Sequence, residues 1–379
     1  MNAHIDETTV AGLRWVVVSG ERTAAFTLLG EYARASITAV QNQLPEREGL
    51  HAFTRSGRGR RILADVVTAN EQAYPHLTAE LRALAAGAAL PYEDLLLANL
   101  RGDLGVDDGT GCTDLAWRGT SSFIAHNEDG APALDGHFML LTLHIDGDLP
   151  VTVEWYPGFL PSNTLAANAA GLVWGINHIQ VTTPIIAPGR HFVARGLQQC
   201  TTFTDAVDFL RTHPSAGGFA YTIGETDTGR VAVVETAAGR YAVRELSPES
   251  AFEWHTNHIR FMPNSPDRAP AGAATANLGQ RDESLARGKV LEDITPALEP
   301  DVDWFDRVLT GSPIPTGVHR TAAGDDPLAT LCTTVTNLTD RTIFIRNQHG
   351  RTATLSLADF VAGQPSAERI GKGLGGERP

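Results

Sequence analysis

The stretch GVDDGTGCTDLAWRGTSSFIAHNEDG, residues 105–130, divides the chain into two kinds of sequence. Before it, between residues 22 and 104, apolar positions return at helical spacing, as in Phe26, Leu29, Ala33, Ile37 and Val40, and again in Ile62, Val66 and Val67. Pro75 and Pro91 stand where new helices can begin, and Gly87 can close the helix before Pro91. A strand near Leu13 to Val18 is predicted ahead of this helical segment. After the dividing stretch the pattern changes to short apolar or alternating runs: SSFIAH, FMLLTLHID, VTVEWY, LVWGINH, FAYTIGE, RVAVVE, RYAVREL, LATLCTTVTNL and RTIFIRN. These read as strands. Paired helical stretches near 190–212 and 280–310 interrupt them, and a Pro/Ala/Gly-rich loop runs from Met262 to Gly279. Strand runs separated by helix pairs predict an α+β arrangement of stacked sheets with helices outside, not a regular βαβ repeat.

Composition narrows the class. The 379 residues are 42% hydrophobic and 20% charged, which is globular and far from the signature of disorder. With 44 acidic against 30 basic side chains the formal charge is −14, so neither nucleic acid nor an anionic membrane is the expected partner. Small molecules are. No apolar run approaches the length of a membrane span, and MNAHIDETTVAG lacks the basic start and apolar core of a signal peptide, so a cytoplasmic protein is expected. Cys112, Cys200 and Cys332 are the only cysteines, with no CxxC pair, which favours neither a disulfide framework nor a structural zinc site.

Asp107, Asp108, Gly109, Thr110 and Gly111 form a turn-rich connection, with Cys112 following at the head of a strand. Alone this is compatible with a loop and a buried, inert cysteine. Its company points elsewhere. Asn127-Glu128-Asp129, NAAGLVWGINH at 168–178, HTNH at 255–258 and VHR at 318–320 all fall at strand ends or in adjacent loops, where polar side chains can converge.

These pieces, with the helical lead-in HLTAELRALAAGAALPYEDLLLANLRGDL and the closing TLCTTVTNLTDRTIFI, resemble the autoproteolytic N-terminal-nucleophile (Ntn) acyltransferases and hydrolases typified by isopenicillin N acyltransferase, with carcinine hydrolases among the relatives. The likeness spans most of the chain. It implies a four-layer αββα sandwich with a helical N-terminal segment. It also implies self-cleavage at Gly111–Cys112 into chains of 111 and 268 residues that stay together as a heterodimer. By this division 1–111 is the N-terminal segment, 112–364 the catalytic domain and 365–379 a disordered tail. Breaking the Gly111–Cys112 bond gives Cys112 an α-amine with a reference pKa of about 7.7–8.0, able to act as base for its own thiol. Glycine before the cysteine suits the close backbone geometry of an N-to-S acyl shift.

Further roles follow from the resemblance residue by residue. Asp129 matches the carboxylate that holds the new α-amine, and Arg320 matches the arginine near the nucleophile. Asn177 and Asn257 are the candidates for holding the acyl carbonyl oxygen as it gains charge. His126 stands where relatives often carry Gln or Arg, and Gly130 where an aromatic is frequent. His126, His178 and His255 are the substrate-binding candidates. The expected substrate is a small-molecule amide, cleaved by water or passed to an amine through a Cys112 thioester, with an acyl-thioester donor left open. No cofactor is implied. A zinc-dependent amidohydrolase lacks an HExxH motif or a ligand triad in the sequence, and phosphate-binding loops are missing. A small-molecule binding protein that keeps the fold without turnover is the alternative from a different class.

Overall fold

The structure is a computed structural model that describes residues 3–106, 111–249, 251–262, 278–324 and 326–365, with the backbone alone for 278–281. Before the junction lie β1 (His4–Val10) and β2 (Leu13–Gly20), then α1 (Arg22–Asn42), α2 (Arg47–Arg55), α3 (Gly57–Ala73), α4 (Pro75–Ala88) and α5 (Tyr92–Asn99). After it come β3 (Thr113–Arg118), β4 (Ser122–Gly130), β5 (Met139–Ile145), β6 (Val151–Trp155), β7 (Ala166–Asn168) and β8 (Leu172–Ile179). Two helices follow, α6 (Arg190–Leu197) and α7 (Phe203–Thr212), then β9 (Gly218–Glu225), β10 (Val231–Ala237), β11 (Arg240–Glu245) and β12 (Phe252–His255). The chain continues through α8 (Leu278–Glu292), α9 (Val302–Thr310), β13 (Ala329–Asn337), β14 (Thr342–Asn347), β15 (Thr352–Ser356) and α10 (Leu357–Ala362).

Among the described residues the strands form two sheets. One has nine strands in the order β1-β2-β5-β6-β7-β8-β9-β10-β11, the other six in the order β12-β3-β4-β13-β14-β15. Every neighbouring pair is antiparallel except β2 with β5. That parallel pairing stitches the N-terminal hairpin into the sheet built by the rest of the chain.

Three apolar clusters correspond to the three interfaces of a four-layer stack. Phe26, Leu29, Leu84, Phe192 and Leu210 from the helices pack on Val16, Leu141, Val153 and Ile223 of the larger sheet. Leu140, Val173 and Val231 of that sheet meet Ala116, Ile124, Ile343 and Ile345 of the smaller one. Leu115, Phe123, Ala125 and Val335 on the smaller sheet's other face pack against Leu291 of α8 and Phe305 and Leu309 of α9. The period-two alternation of buried β4 therefore sends Ile124 between the sheets and Phe123 and Ala125 toward the helices. Helices α1 and α4 lie backbone against backbone. A Cβ on Gly30 would come 2.2 Å from the Leu84 carbonyl oxygen, so only glycine permits this approach.

The predicted strands and helix pairs are all present, in an α+β, αββα order. The strand expected near Leu13 to Val18 has a partner that sequence reading missed. In β1 the residues are mostly exposed, so HIDETTV shows no apolar alternation, and the pairing is set by the Ala11-Gly12 turn, both residues at positive φ. Residues 107–110, the Met262–Gly279 loop between 263 and 277, and the tail beyond Pro365 lie outside the described residues. Among the described residues no helix is long and apolar enough to cross a membrane.

Candidate active site

Cys112 heads β3 at the rim of a cavity of about 1130 Å³ that it shares with Gly111, Glu128, Asp129, Arg287 and Arg320. Val40, Leu44 and Arg101 also line this cavity, so the segment before the junction supplies part of its wall. Gly111 fits against β4 only because it lacks a side chain. A Cβ there would sit 2.9 Å from the Asp129 carbonyl oxygen and 3.0 Å from its Cβ.

Strand β4 brings two adjacent carboxylates to this place. In a regular strand Glu128 and Asp129 point to opposite faces. Here β13 carries a register shift between Thr330, which pairs with Asp129, and Cys332, which pairs with Glu128. The extra residue, Leu331, belongs to β13, and both carboxylates border the cavity at this strand end.

On the thiol side, Cys112 Sγ is 3.4 Å from Glu128 Oε1. The Tyr156 hydroxyl donates to the same oxygen at 2.7 Å, and His126 Nε2 lies 2.9 Å from the other. His126 Nδ1 is 2.7 Å from Asp114 Oδ1, which completes a chain from thiol to carboxylate to imidazole to carboxylate. Burial works against a charged His126, yet the flanking carboxylates outweigh it and hold its pKa well above the ordinary value. Burial, reinforced by the charge of Glu128, pushes the Cys112 thiol up to about 12. Glu154, fully buried nearby beside Cys332, is pushed up by burial to about 8.

On the carbonyl side, Arg287 of α8 is the organising group. Its Nη1 donates to the Cys112 carbonyl oxygen at 2.9 Å and to Thr113 Oγ1 at 2.7 Å, and its Nη2 to Asn257 Oδ1 at 2.6 Å. Glu283, one turn earlier on α8, pairs with Arg287 and lies 3.2 Å from Arg320 Nη1. Arg320 Nη2 also meets Asp326 at 2.7 Å. Asp129 accepts from Thr330 at 2.7 Å, while its second oxygen is buried without a partner. Burial pushes the Asp129 carboxyl up to about 7 against the opposing charges of Arg320 and Arg287.

Of the residues nominated from sequence, Gly111, Cys112, Asp129, His178 and Arg320 all border the cavity. Asn257 joins them at the junction, its Oδ1 accepting from the Gly111 N–H at 3.2 Å and its Nδ2 donating to the His178 carbonyl at 3.2 Å. Asn177 is not on the cavity wall. Its Nδ2 donates to the His255 carbonyl at 2.8 Å, tying β8 to β12. His126 and His255 require correction as substrate contacts, because both are 0% exposed. His126 belongs to the chain behind the thiol, and His255 is held by Glu235 at 3.1 Å. Glu128, Tyr156, Asp114, Glu283 and Arg287 were not singled out. AHNEDG offered Glu128 and Asp129 together, but nothing in SLARGK marks Arg287 as facing a site 175 residues earlier.

Cys112, His126 and Glu128 bring ligand atoms within 4.8 Å of one another, the one such metal-capable group among the described residues. The Asp114 contact on Nδ1 is the kind that orients a metal-binding imidazole. The remaining donors are already joined to each other through Glu128, so the group is complete as a hydrogen-bonded chain.

Two antiparallel-rich sheets stacked between helical layers, with a glycine–cysteine junction heading a central strand, place the protein in the N-terminal-nucleophile hydrolase class. Within it the chain belongs to the acyl-coenzyme A:6-aminopenicillanic acid acyl-transferase family, whose model matches residues 117–351. It is similar to a β-alanyl-dopamine/carcinine hydrolase of Drosophila melanogaster, 27% identical over 190 residues, which is 44% of this chain and 49% of the other. The chain thus spans about half the length of that curated relative. Among solved structures, penicillin V acylase from Agrobacterium tumefaciens is 13% identical with a TM-score of 0.37, over 65% of this chain and 86% of the other. A conjugated bile acid hydrolase variant from Clostridium perfringens is 11% identical with a TM-score of 0.39, over 65% and 93%.

Proposed function

We propose that the protein is a self-processing amidohydrolase or acyltransferase that takes the acyl group of a small-molecule amide onto Cys112. The observation that carries this reading is the Cys112 thiol on the wall of the large cavity, with Asp129, Arg287 and Arg320 on the same wall and Asn257 on Gly111. Once the Gly111–Cys112 bond is open, the α-amine takes the thiol proton, Sγ attacks the amide carbon, and the amine leaves with that proton. Water or a second amine then resolves the thioester. Asp129 holds the α-amine, and Arg287 and Asn257 fix the junction. The 1–111 segment stays bound because Leu81, Leu84 and Leu95 are buried in the shared core and Val40 and Leu44 line the cavity.

The cavity combines apolar walls at Leu44, Leu134 and Phe159 with acidic groups at Asp282, Glu283 and Asp326. Suitable probes are N-acyl amines, β-alanyl amides, such as those in the name of the Drosophila relative, and N-acylated β-lactams, each with water or with an acyl-thioester donor. The test is intact-mass analysis of native protein beside Cys112→Ala, followed by this screen. Native protein should give fragments of 111 and 268 residues that co-elute on gel filtration, and the variant one intact chain. The variant should lose turnover by at least about 10⁴-fold. A native chain that stays whole, whether active or merely binding, overturns self-processing.

A further inference from the structure

Before cleavage the nitrogen of Cys112 is an amide and has no basicity to offer its own thiol. The α-amine that serves the mature enzyme does not yet exist, and the first attack needs another proton acceptor. The thiol's hydrogen-bonded carboxylate partner is Glu128 Oε1, at 3.4 Å. That carboxylate is 3% exposed and is held on both oxygens, by the Tyr156 hydroxyl at 2.7 Å and by His126 Nε2 at 2.9 Å. His126 is fixed in turn by Asp114 at 2.7 Å. This is the geometry of a base whose position is set before the reaction.

We infer that Glu128 is the general base of self-cleavage, with His126, Asp114 and Tyr156 as its positioning residues. The inference rests on the self-processing reading above and adds a second base for a stage the α-amine cannot serve. The proton of the Cys112 thiol passes to the Glu128 carboxylate as Sγ bonds to the Gly111 carbonyl carbon. The C–N bond then breaks, and the same proton moves from Glu128 to the departing nitrogen, leaving a Gly111–Sγ thioester and a free α-amine. Water cleaves the thioester to a Gly111 carboxylate and restores the thiol. A thiol held at about 12 stays protonated at rest, so its proton must leave during the attack, not before it.

The experiment follows cleavage of the full chain over time in cell-free synthesis, by mass, for the native sequence, Glu128→Gln and Glu128→Asp. Thermal melts check that each variant is folded. Glu128→Gln should cleave at least about 100-fold more slowly, the lower bound for losing a general base. Glu128→Asp should recover at least tenfold of that loss at a comparable melting temperature, because it keeps the carboxylate. Adding hydroxylamine, which captures thioesters, should not speed Glu128→Gln, since formation of the thioester is the step that has been slowed. Cleavage of Glu128→Gln within threefold of native, an Asp variant no faster than the Gln variant, or release of the 111-residue fragment from Glu128→Gln that hydroxylamine speeds would each overturn the inference. A native chain that fails to cleave refutes the underlying reading instead, and the two failures are told apart in one series.

Discussion

Behind the Cys112 thiol, Glu128, His126 and Asp114 form a hydrogen-bonded chain between the sheets in which no residue is more than 3% exposed. On the other side of the same residue, Arg287, Arg320, Asp129 and Glu283 stand on the wall of an open cavity, with Glu283 paired to both arginines. The first flank can move a proton and reaches the cavity only through Glu128. The second can meet a substrate and balance charge at a carbonyl. Proton handling and substrate handling are thus divided between the two faces at one strand end, and the bulge in β13 opposite Glu128 and Asp129 sits where the division is made.

The largest break in this comparison comes from the cavity flank. Arg287 is 1% exposed and holds the Cys112 carbonyl, Thr113, Asn257 and Glu283 at once. Arg287→Ala leaves buried acceptors unpaired, and the cost of breaking such a buried pair is about 3–5 kcal/mol. We expect a melting temperature lower by roughly 6–20 °C, taking about 2–4 °C per kcal/mol for a large domain, together with loss of cleavage. Lysine at 287 should restore part of the stability but not the multiple contacts. An Arg287→Ala chain that melts and cleaves like the native protein would remove the organising role given to this arginine.

Asp129 sharpens the comparison through pH. Its carboxyl is raised to about 7, so the folded chain binds this proton more tightly than the unfolded chain, where an aspartate titrates at about 3.9. The stabilisation is fully present below the unfolded value and is lost as pH rises through about 7. On a Cys112→Ala background, which keeps the chain whole, Asp129→Asn should therefore stabilise relative to its parent at pH 8 and much less at pH 4. An expected gap of at least about 4 °C between the two pH values is readable by thermal denaturation. Arg320→Ala should move the window to higher pH, because it removes a charge that opposes the shift. A difference between the Asn variant and its parent that does not change with pH would show that Asp129 is not buried in its charged form.

Sequence reading reached the cavity flank better than the thiol flank for a physical reason. Gly111, Cys112, Asp129 and Arg320 lie at strand ends and in loops, where local sequence signals polar exposure. Glu128, His126 and Asp114 lie inside strands whose residues pair across β3, β4 and β13, so their meeting depends on register, which alternation alone does not specify. His126 was visible as a candidate but not as an interior link, because a histidine in a strand does not announce which sheet it faces. Arg287 was invisible for the opposite reason: α8 carries little amphipathic contrast, and only its packing beside β12 aims the side chain at the junction. The layer order itself was legible, since strand runs and helix pairs each keep one periodicity from end to end.

The smallest effects separate the flanks by one hydroxyl each. Tyr156→Phe removes the 2.7 Å donor to Glu128, and Ser284→Ala removes the acceptor of the Asn257 N–H, also at 2.7 Å. Each loss should cost about 1–2 kcal/mol, within the range for a buried hydrogen bond, and hence about five- to thirtyfold in whichever step depends on it. If Glu128 serves maturation alone and the α-amine is the base thereafter, Tyr156→Phe should slow cleavage more than it slows turnover of the matured enzyme. Asn257 faces the junction in both stages, and Ser284→Ala should slow both about equally. The measurement is the ratio of cleavage rate to kcat/KM in each variant. Because the two hydroxyls share no partner, their effects on cleavage should add in the double variant to within about 0.5 kcal/mol. Equal ratios for the two single variants would mean that the flanks do not divide the work, and Glu128 would then have to be counted among the groups of the mature reaction.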